Sequence, residues 1–97
     1  MVGSFGISKA GHDKDHIYII VKEEKEYVYL ADGLLRTLER PKKKKKKHIQ
    51  IMNKHADKAL GNRLLENQPV GDEEIKRAVK NVQKWELSQS TADGVKN

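Results

Sequence analysis

Six consecutive lysines, Lys42, Lys43, Lys44, Lys45, Lys46 and Lys47, stand between Pro41 and His48, and no fold of this chain can bury them together. Each ammonium is costly to take out of water, and neighbouring like charges repel. The segment Arg40 to Lys47 is therefore expected as a solvated loop between elements of the core. From Arg36 to Lys58 there are ten lysines and arginines against two acids, Glu39 and Asp57, a local net of +8 in a chain whose total is +6. The remainder is slightly acidic, at −2. Charge of one sign gathered in one stretch is the footprint of a polyanion partner, and nucleic acid is the commonest.

The chain has 97 residues, 36% of them apolar and 35% charged, so a core exists only if the apolar residues cluster. They do, in Ile17 to Val21, Val28 to Leu38, Ile49 to Met52 and Ile75 to Val82. A domain this small buries roughly 60–65% of its unfolded surface, which leaves little room for a deep substrate pocket. Cysteine is absent, excluding disulfides and thiolate metal sites. No apolar run approaches the roughly 20 residues needed to cross a bilayer, and the N-terminus lacks a signal-peptide pattern. A cytoplasmic protein with no membrane partner is the expectation.

Val2 to Ile7 has the period of a strand, and Ser8 to Asp15 is a polar loop in which Gly11 is free to take positive φ. His16 to Val21 (HIYIIV) is rich in β-branched and aromatic residues, with Ile17, Ile19 and Val21 on one face. Lys22 to Glu26 reverses the chain, and Tyr27 to Ala31 pairs back, Val28 and Leu30 on one face and Tyr27 and Tyr29 on the other. Asp32-Gly33 predicts a two-residue type I′ turn into a fourth strand, Leu34 to Glu39. His48 to Met52 alternates again and predicts a fifth. Five short strands within about 52 residues point to a small antiparallel barrel.

Beyond Asn53 the period becomes helical. Ala56 to Glu66 predicts one helix, interrupted by Gly61 at a cost of roughly 1 kcal/mol. Asn67 to Gly71 breaks it. Asp72 predicts an N-cap for a second helix, with Ile75, Ala78, Val79, Val82 and Trp85 on an apolar face and Lys76, Arg77, Lys80 and Lys84 opposite. That apolar face suits either the barrel or another protein. Ser88 to Asn97 has no period and is expected to fray. The domain plan is thus a barrel over 1–55, a helical extension over 56–88 and a tail over 89–97.

The order SKAG, then Asp-Lys, an apolar strand, YLADG, an arginine and then PKKKK with a histidine resembles a known family. It is similar to KOW-motif, SH3-like barrel proteins related to the fourteenth large-subunit ribosomal protein of archaea and eukaryotes, and to small bacterial proteins of that type. The resemblance covers roughly residues 1–55. The KOW loop falls on Gly11, Asp13 and Lys14, the Ala-Asp-Gly turn on Ala31, Asp32 and Gly33, the following arginine on Arg36, and the basic segment on Pro41 to His48. Two positions depart from the pattern: Asp15 replaces a glycine, and His12 replaces a basic residue. Asp tolerates left-handed geometry better than most residues, so the turn is expected to survive.

The resemblance implies a non-enzymatic RNA-binding protein of the translation apparatus. The implied contacts are Lys9, Gly11, His12 and Lys14 in the KOW loop, Arg36 and Arg40, Lys42 to Lys47, and His48, gripping phosphates of large-subunit ribosomal RNA. Ribosomal proteins are candidate partners for the C-terminal helix. The alternative is a protein-interaction module using the barrel or the Trp85 stripe. Tyr18, Tyr27 and Tyr29 suit stacking on unpaired bases, but covering the second face of the hairpin is the reading adopted. His12 and His16, four apart in a loop and strand, carry no metal-site signature. No hydrolytic triad, phosphate-cradling glycine loop or HExxH helix occurs, so no catalytic residue, cofactor, metal or small-molecule substrate is expected.

Overall fold

The computed structural model describes residues 1–96, excepting the side chains of residues 53, 54 and 88–96. Its elements are β1 (Ser4–Ser8), β2 (Ile17–Glu23), β3 (Tyr27–Ala31), β4 (Lys42–Lys45), a 3-10 turn (Lys46–His48), β5 (Ile49–Ala56), α1 (Lys58–Leu65) and α2 (Asp72–Lys96). The strands form one curled antiparallel sheet, a half-barrel, in the order β4-β3-β2-β1-β5. β4 and β5 are its two edges.

β2 takes the centre because it is apolar on both faces. Tyr18, Ile19 and Ile20 are consecutive and all buried, as a strand covered on both sides requires. Ile19 joins Phe5, Ala31 and Met52 against Leu60 of α1 and Ile75, Val79 and Val82 of α2. Tyr18 and Ile20 join Val28 and Leu30 inside the curl, with Ile49 and Ile51 beside them. Each fully buried Ile or Leu contributes about 1.5–3 kcal/mol, so the shared strand ties both cores together.

The apolar face of α2 packs on the sheet, which answers the question its sequence left open. Trp85, at 39% exposure, meets the His55 ring edge-on at 4.3 Å. Asp57 caps α1 by accepting from the Leu60 N–H at 3.0 Å. Gly61 sits where any Cβ would strike Val2 O and Gly3 Cα, so the helix accepts a glycine in order to lie close to the N-terminal turn. α2 starts one residue earlier than an Asp72 cap would give. Gly71 occupies the cap position, its N–H donating to Glu74 Oε2 at 3.0 Å, while Asp72 Oδ1 accepts from Leu38 N at 2.8 Å across the fold. The expected frayed tail, 89–97, falls where side chains lie outside the described residues.

Two expectations are corrected. Leu34 to Glu39 is not a strand: residues 32–41 form an irregular loop. The Asp32-Gly33 pair makes no type I′ turn, because Gly33 alone takes positive φ (79°). Instead the Asp32 carboxylate folds the loop onto itself, Oδ1 accepting from Leu34 N at 2.9 Å and Arg36 N at 2.8 Å. The second correction concerns the lysines. Lys42–Lys45 is itself the fourth strand, paired to β3 with Leu30 opposite Lys42 and Val28 opposite Lys44. The strand that follows begins at Ile49, one residue later than expected, because Lys46–His48 coils into the 3-10 turn.

Candidate nucleic-acid interface

A strand sends successive side chains to opposite faces, so Lys42–Lys45 divides by parity, and Lys46 and Lys47 continue the alternation of exposure into the 3-10 turn. Along Lys42 to Lys47 burial alternates strictly, the even positions half-buried and the odd ones exposed. Residues two apart on one face are about 6.7 Å apart, which weakens the repulsion that six adjacent ammonium groups would otherwise suffer.

The even row is held by acids. Lys44, 10% exposed, places Nζ 2.6 Å from Ser8 Oγ, 2.7 Å from Ala10 O and 2.7 Å from Asp13 Oδ1. Its three N–H donors thus find three acceptors. Lys42 Nζ lies 2.9 Å from Asp13 Oδ2, and Lys46 Nζ 2.7 Å from Glu23 Oε2. Asp13 also accepts from Ser8 Oγ at 2.9 Å and Tyr18 OH at 2.8 Å. Burial alone would raise the Asp13 carboxyl, but hydrogen bonds from Lys44, Lys42, Tyr18 and Ser8 outweigh it and hold the group well below the usual carboxylate range. Burial, then the bonded Asp13 carboxylate, pushes the Tyr18 phenol up. The Glu23 carboxyl is lowered, by Lys46 first and then by the N-terminal ammonium.

These bonds fasten the loop between β1 and β2 to the lysine strand. Lys9 N donates to His48 O at 2.8 Å and Asp15 N to Ser8 O at 2.8 Å, closing the loop. Gly11 has φ 88° and Asp15 φ 73°, so the aspartate does adopt the left-handed geometry expected of it. Lys9, Gly11, His12 and Lys14 are exposed around this turn, and Asp13 between them points inward. The neighbouring loop is tied in through His16, whose Nε2 lies 2.9 Å from Asp32 Oδ2, with the His16 ring 4.5 Å from that of Tyr18. Burial would raise Asp32, but the Arg36 and Leu34 N–H groups and His16 together lower it. Arg36 and Arg40 are exposed on that loop, which also carries Leu34 and Leu35 at 65% and 77% exposure.

The odd row faces outward with aromatic neighbours. Tyr29 pairs with Lys43 and Tyr27 with Lys45 across the two strands. Lys43 Nζ stands 4.5 Å from the Tyr27 ring centre and 5.8 Å from that of Tyr29, and Lys22 Nζ 5.1 Å from Tyr29. Glu24 is the acid at this rim, 3.7 Å from Lys43 and accepting from Tyr29 OH at 3.1 Å. Among the described residues Lys45 and Lys47 make no ion pair.

Of the residues named from sequence, Lys9, Gly11, His12 and Lys14 share one turn, and that turn is bonded to β4 and to His48. Lys43, Lys45 and Lys47 are presented outward. Lys42, Lys44 and Lys46 commit their charge internally, and His48, half-buried, contributes its carbonyl to the loop. Sequence reasoning did not anticipate Asp13 as the hub, or Lys22 and Glu23 as members. The signal for the last two was the hairpin register, which sets Lys22 opposite Tyr29 and Glu23 opposite Val28. No three acids, histidines or cysteines among the described residues are grouped as a metal would need, and no helix is long and apolar enough to cross a membrane. No protein-family model matches the chain, and no curated protein matches it either.

Proposed function

We propose that this protein is a non-enzymatic RNA-binding module of the translation apparatus, of the KOW-motif, SH3-like type, acting on ribosomal RNA of the large subunit. The observation that carries the reading is the division of the lysine run. One row fixes the strand to the Gly11 loop and to Glu23, and the other three ammonium groups are exposed, with only Lys43 near an acid, Glu24 at the rim. Lys9, His12 and Lys14 add charge from the turn bonded to that strand, and Arg36 and Arg40 add charge from the next loop. Cations held on a rigid frame at fixed spacing suit the phosphates of a folded RNA, where shape supplies more of the discrimination than base edges do.

The test replaces Lys43, Lys45 and Lys47 by glutamine and leaves the internally paired row intact. Sedimentation of lysate across a salt series is expected to show the wild-type chain moving with the large subunit and released by salt, and the variant released at lower salt. Unchanged association of the variant would sink the reading. A second reading, docking of a protein factor, has one observation in its favour. Leu34 and Leu35 project from a loop held by Asp32, at 65% and 77% exposure. Replacing both with serine is expected to leave RNA association unchanged, and a loss there would favour the protein-docking reading.

A further inference from the structure

The outward face of β3 and β4 carries more than charge. Its inner neighbours on the same face, Ile19 and Ala31, are covered by the helices, whereas Tyr27 and Tyr29 lie beyond that cover, half-buried, with lysine ammonium groups beside their rings. The two rings shield that end of the sheet and still keep part of their surface open. We infer that this face binds unpaired nucleotides, each cross-strand pair (Tyr29 with Lys43, Tyr27 with Lys45) offering a ring to a base and an ammonium to the adjoining phosphate. The inference rests on the RNA-binding reading above and names the form of RNA taken at this face.

Two features support the assignment. Lys22 and Lys43 stand by the rings and Lys45 pairs across from Tyr27, with Glu24 as the counter-charge, so the patch is complementary to a strand that is aromatic and anionic in alternation. Magnitude decides the second point, because Lys43 now stands over the ring faces that a base would need. An exposed cation–π contact contributes only about two- to fivefold in an equilibrium constant. Stacking of a base on an aromatic side chain contributes about five- to 150-fold. A base therefore displaces the lysine, and the released ammonium is free for phosphate. A duplex, whose bases stack on one another, has no base to offer and gains nothing from the rings.

The experiment compares decauridylate with a fully paired RNA hairpin by fluorescence anisotropy over a salt series. The proteins are the wild type, Y27A/Y29A, Y27L/Y29L, Y27F/Y29F and K43Q/K45Q/K47Q, with folding followed by amide circular dichroism. The alanine and leucine pairs are expected to lose about tenfold or more for decauridylate with an unchanged salt slope, and under about twofold for the hairpin. The phenylalanine pair, which keeps both rings, should bind as wild type. The leucine pair keeps apolar cover without a π-face, so it carries the test if the alanine pair unfolds. Equal losses on both RNAs, or wild-type binding by the leucine pair, would overturn the inference. If the lysine variant loses binding while the leucine pair does not, the RNA-binding reading stands and this inference fails. If the wild type binds neither RNA, both fail.

Discussion

The inward and outward rows of β4 are chemically the same residue and do different work. Lys42 and Lys44 sit on one side of the strand among Asp13, Ser8, Ala10 O and Tyr18, where the two ammonium groups share the one Asp13 carboxylate and Lys44 fills its remaining donors with neutral oxygens. Lys43 and Lys45 sit on the other side, exposed to water, Lys43 over the Tyr27 ring and Lys45 opposite Tyr27 in the ladder. The difference shows that the number of lysines in a run does not measure how many ammonium groups it leaves exposed and unpaired. Which face the backbone gives each one decides that.

The comparison is broken most forcefully from the acid side. Asp13→Ala leaves Lys42 and Lys44 partly buried without their partner, and removal of one member of such a pair is expected to destabilise the fold by about 3 kcal/mol. For a domain of this size that lowers the thermal midpoint by roughly 10–20 °C. The midpoint by circular dichroism checks this, and a change of only a degree or two would show that the inward row is not structural.

The next largest effect falls on binding. Lys43, Lys45 and Lys47 all replaced by glutamine should weaken association with RNA by about 10- to 100-fold near physiological salt and reduce the slope of log K against log salt by about 2–3. The unfolding midpoint should not move. Lys42→Gln with Lys44→Gln should do the reverse, lowering the midpoint and sparing the slope. Measuring both variants in one salt series separates the rows directly.

Acid provides a third, smaller separation. Asp13 has its folded-state pKa held below its ordinary value of 3.8, so it contributes stability that is complete above that pH and is lost as pH falls through the folded value. Asp32, also lowered, acts in the same direction. Stability should therefore fall below about pH 4 in the wild type, and Asp13→Asn should flatten that limb of the profile. The smallest effect is expected at Lys46, whose pair with Glu23 is solvent-accessible. Lys46→Gln should cost under about 1 kcal/mol, less than Lys44→Gln, so stability loss along the inward row follows burial.

Much of this architecture is legible in the residues. HIYIIV reads as a central strand, the alternation of Tyr27 to Ala31 puts tyrosines and aliphatics on opposite faces, and Ile75, Val79 and Val82 declare the buried face of a helix. The fourth strand was not legible, for a physical reason. Six adjacent ammonium groups suggest neighbours in space, but along Lys42–Lys45 an extended backbone separates each from the next by a whole sheet thickness of side chain. The balancing carboxylates, Asp13 and Glu23, are 31 and 23 residues away from Lys44 and Lys46 along the chain, and no local pattern announces such a meeting. LLRTLE misled in the opposite sense. Its leucines suit a strand, but the Asp32 carboxylate offers the Leu34 and Arg36 N–H groups a closer partner than any ladder.

An open half-barrel ends in edge strands whose outer backbone groups are available to any passing chain. At β4 every residue of that edge is a lysine, so a second copy approaching to extend the sheet brings a matching row of positive charge against it. Like charge along that row opposes such pairing, and the opposition weakens as salt rises, since screening shortens to about 3 Å at 1 M salt. A polyanion that neutralised the row would weaken the same repulsion. Excess short polyanion, enough to cancel the charge without covering the edge, is the condition under which copies of this protein are most exposed to pairing strand to strand.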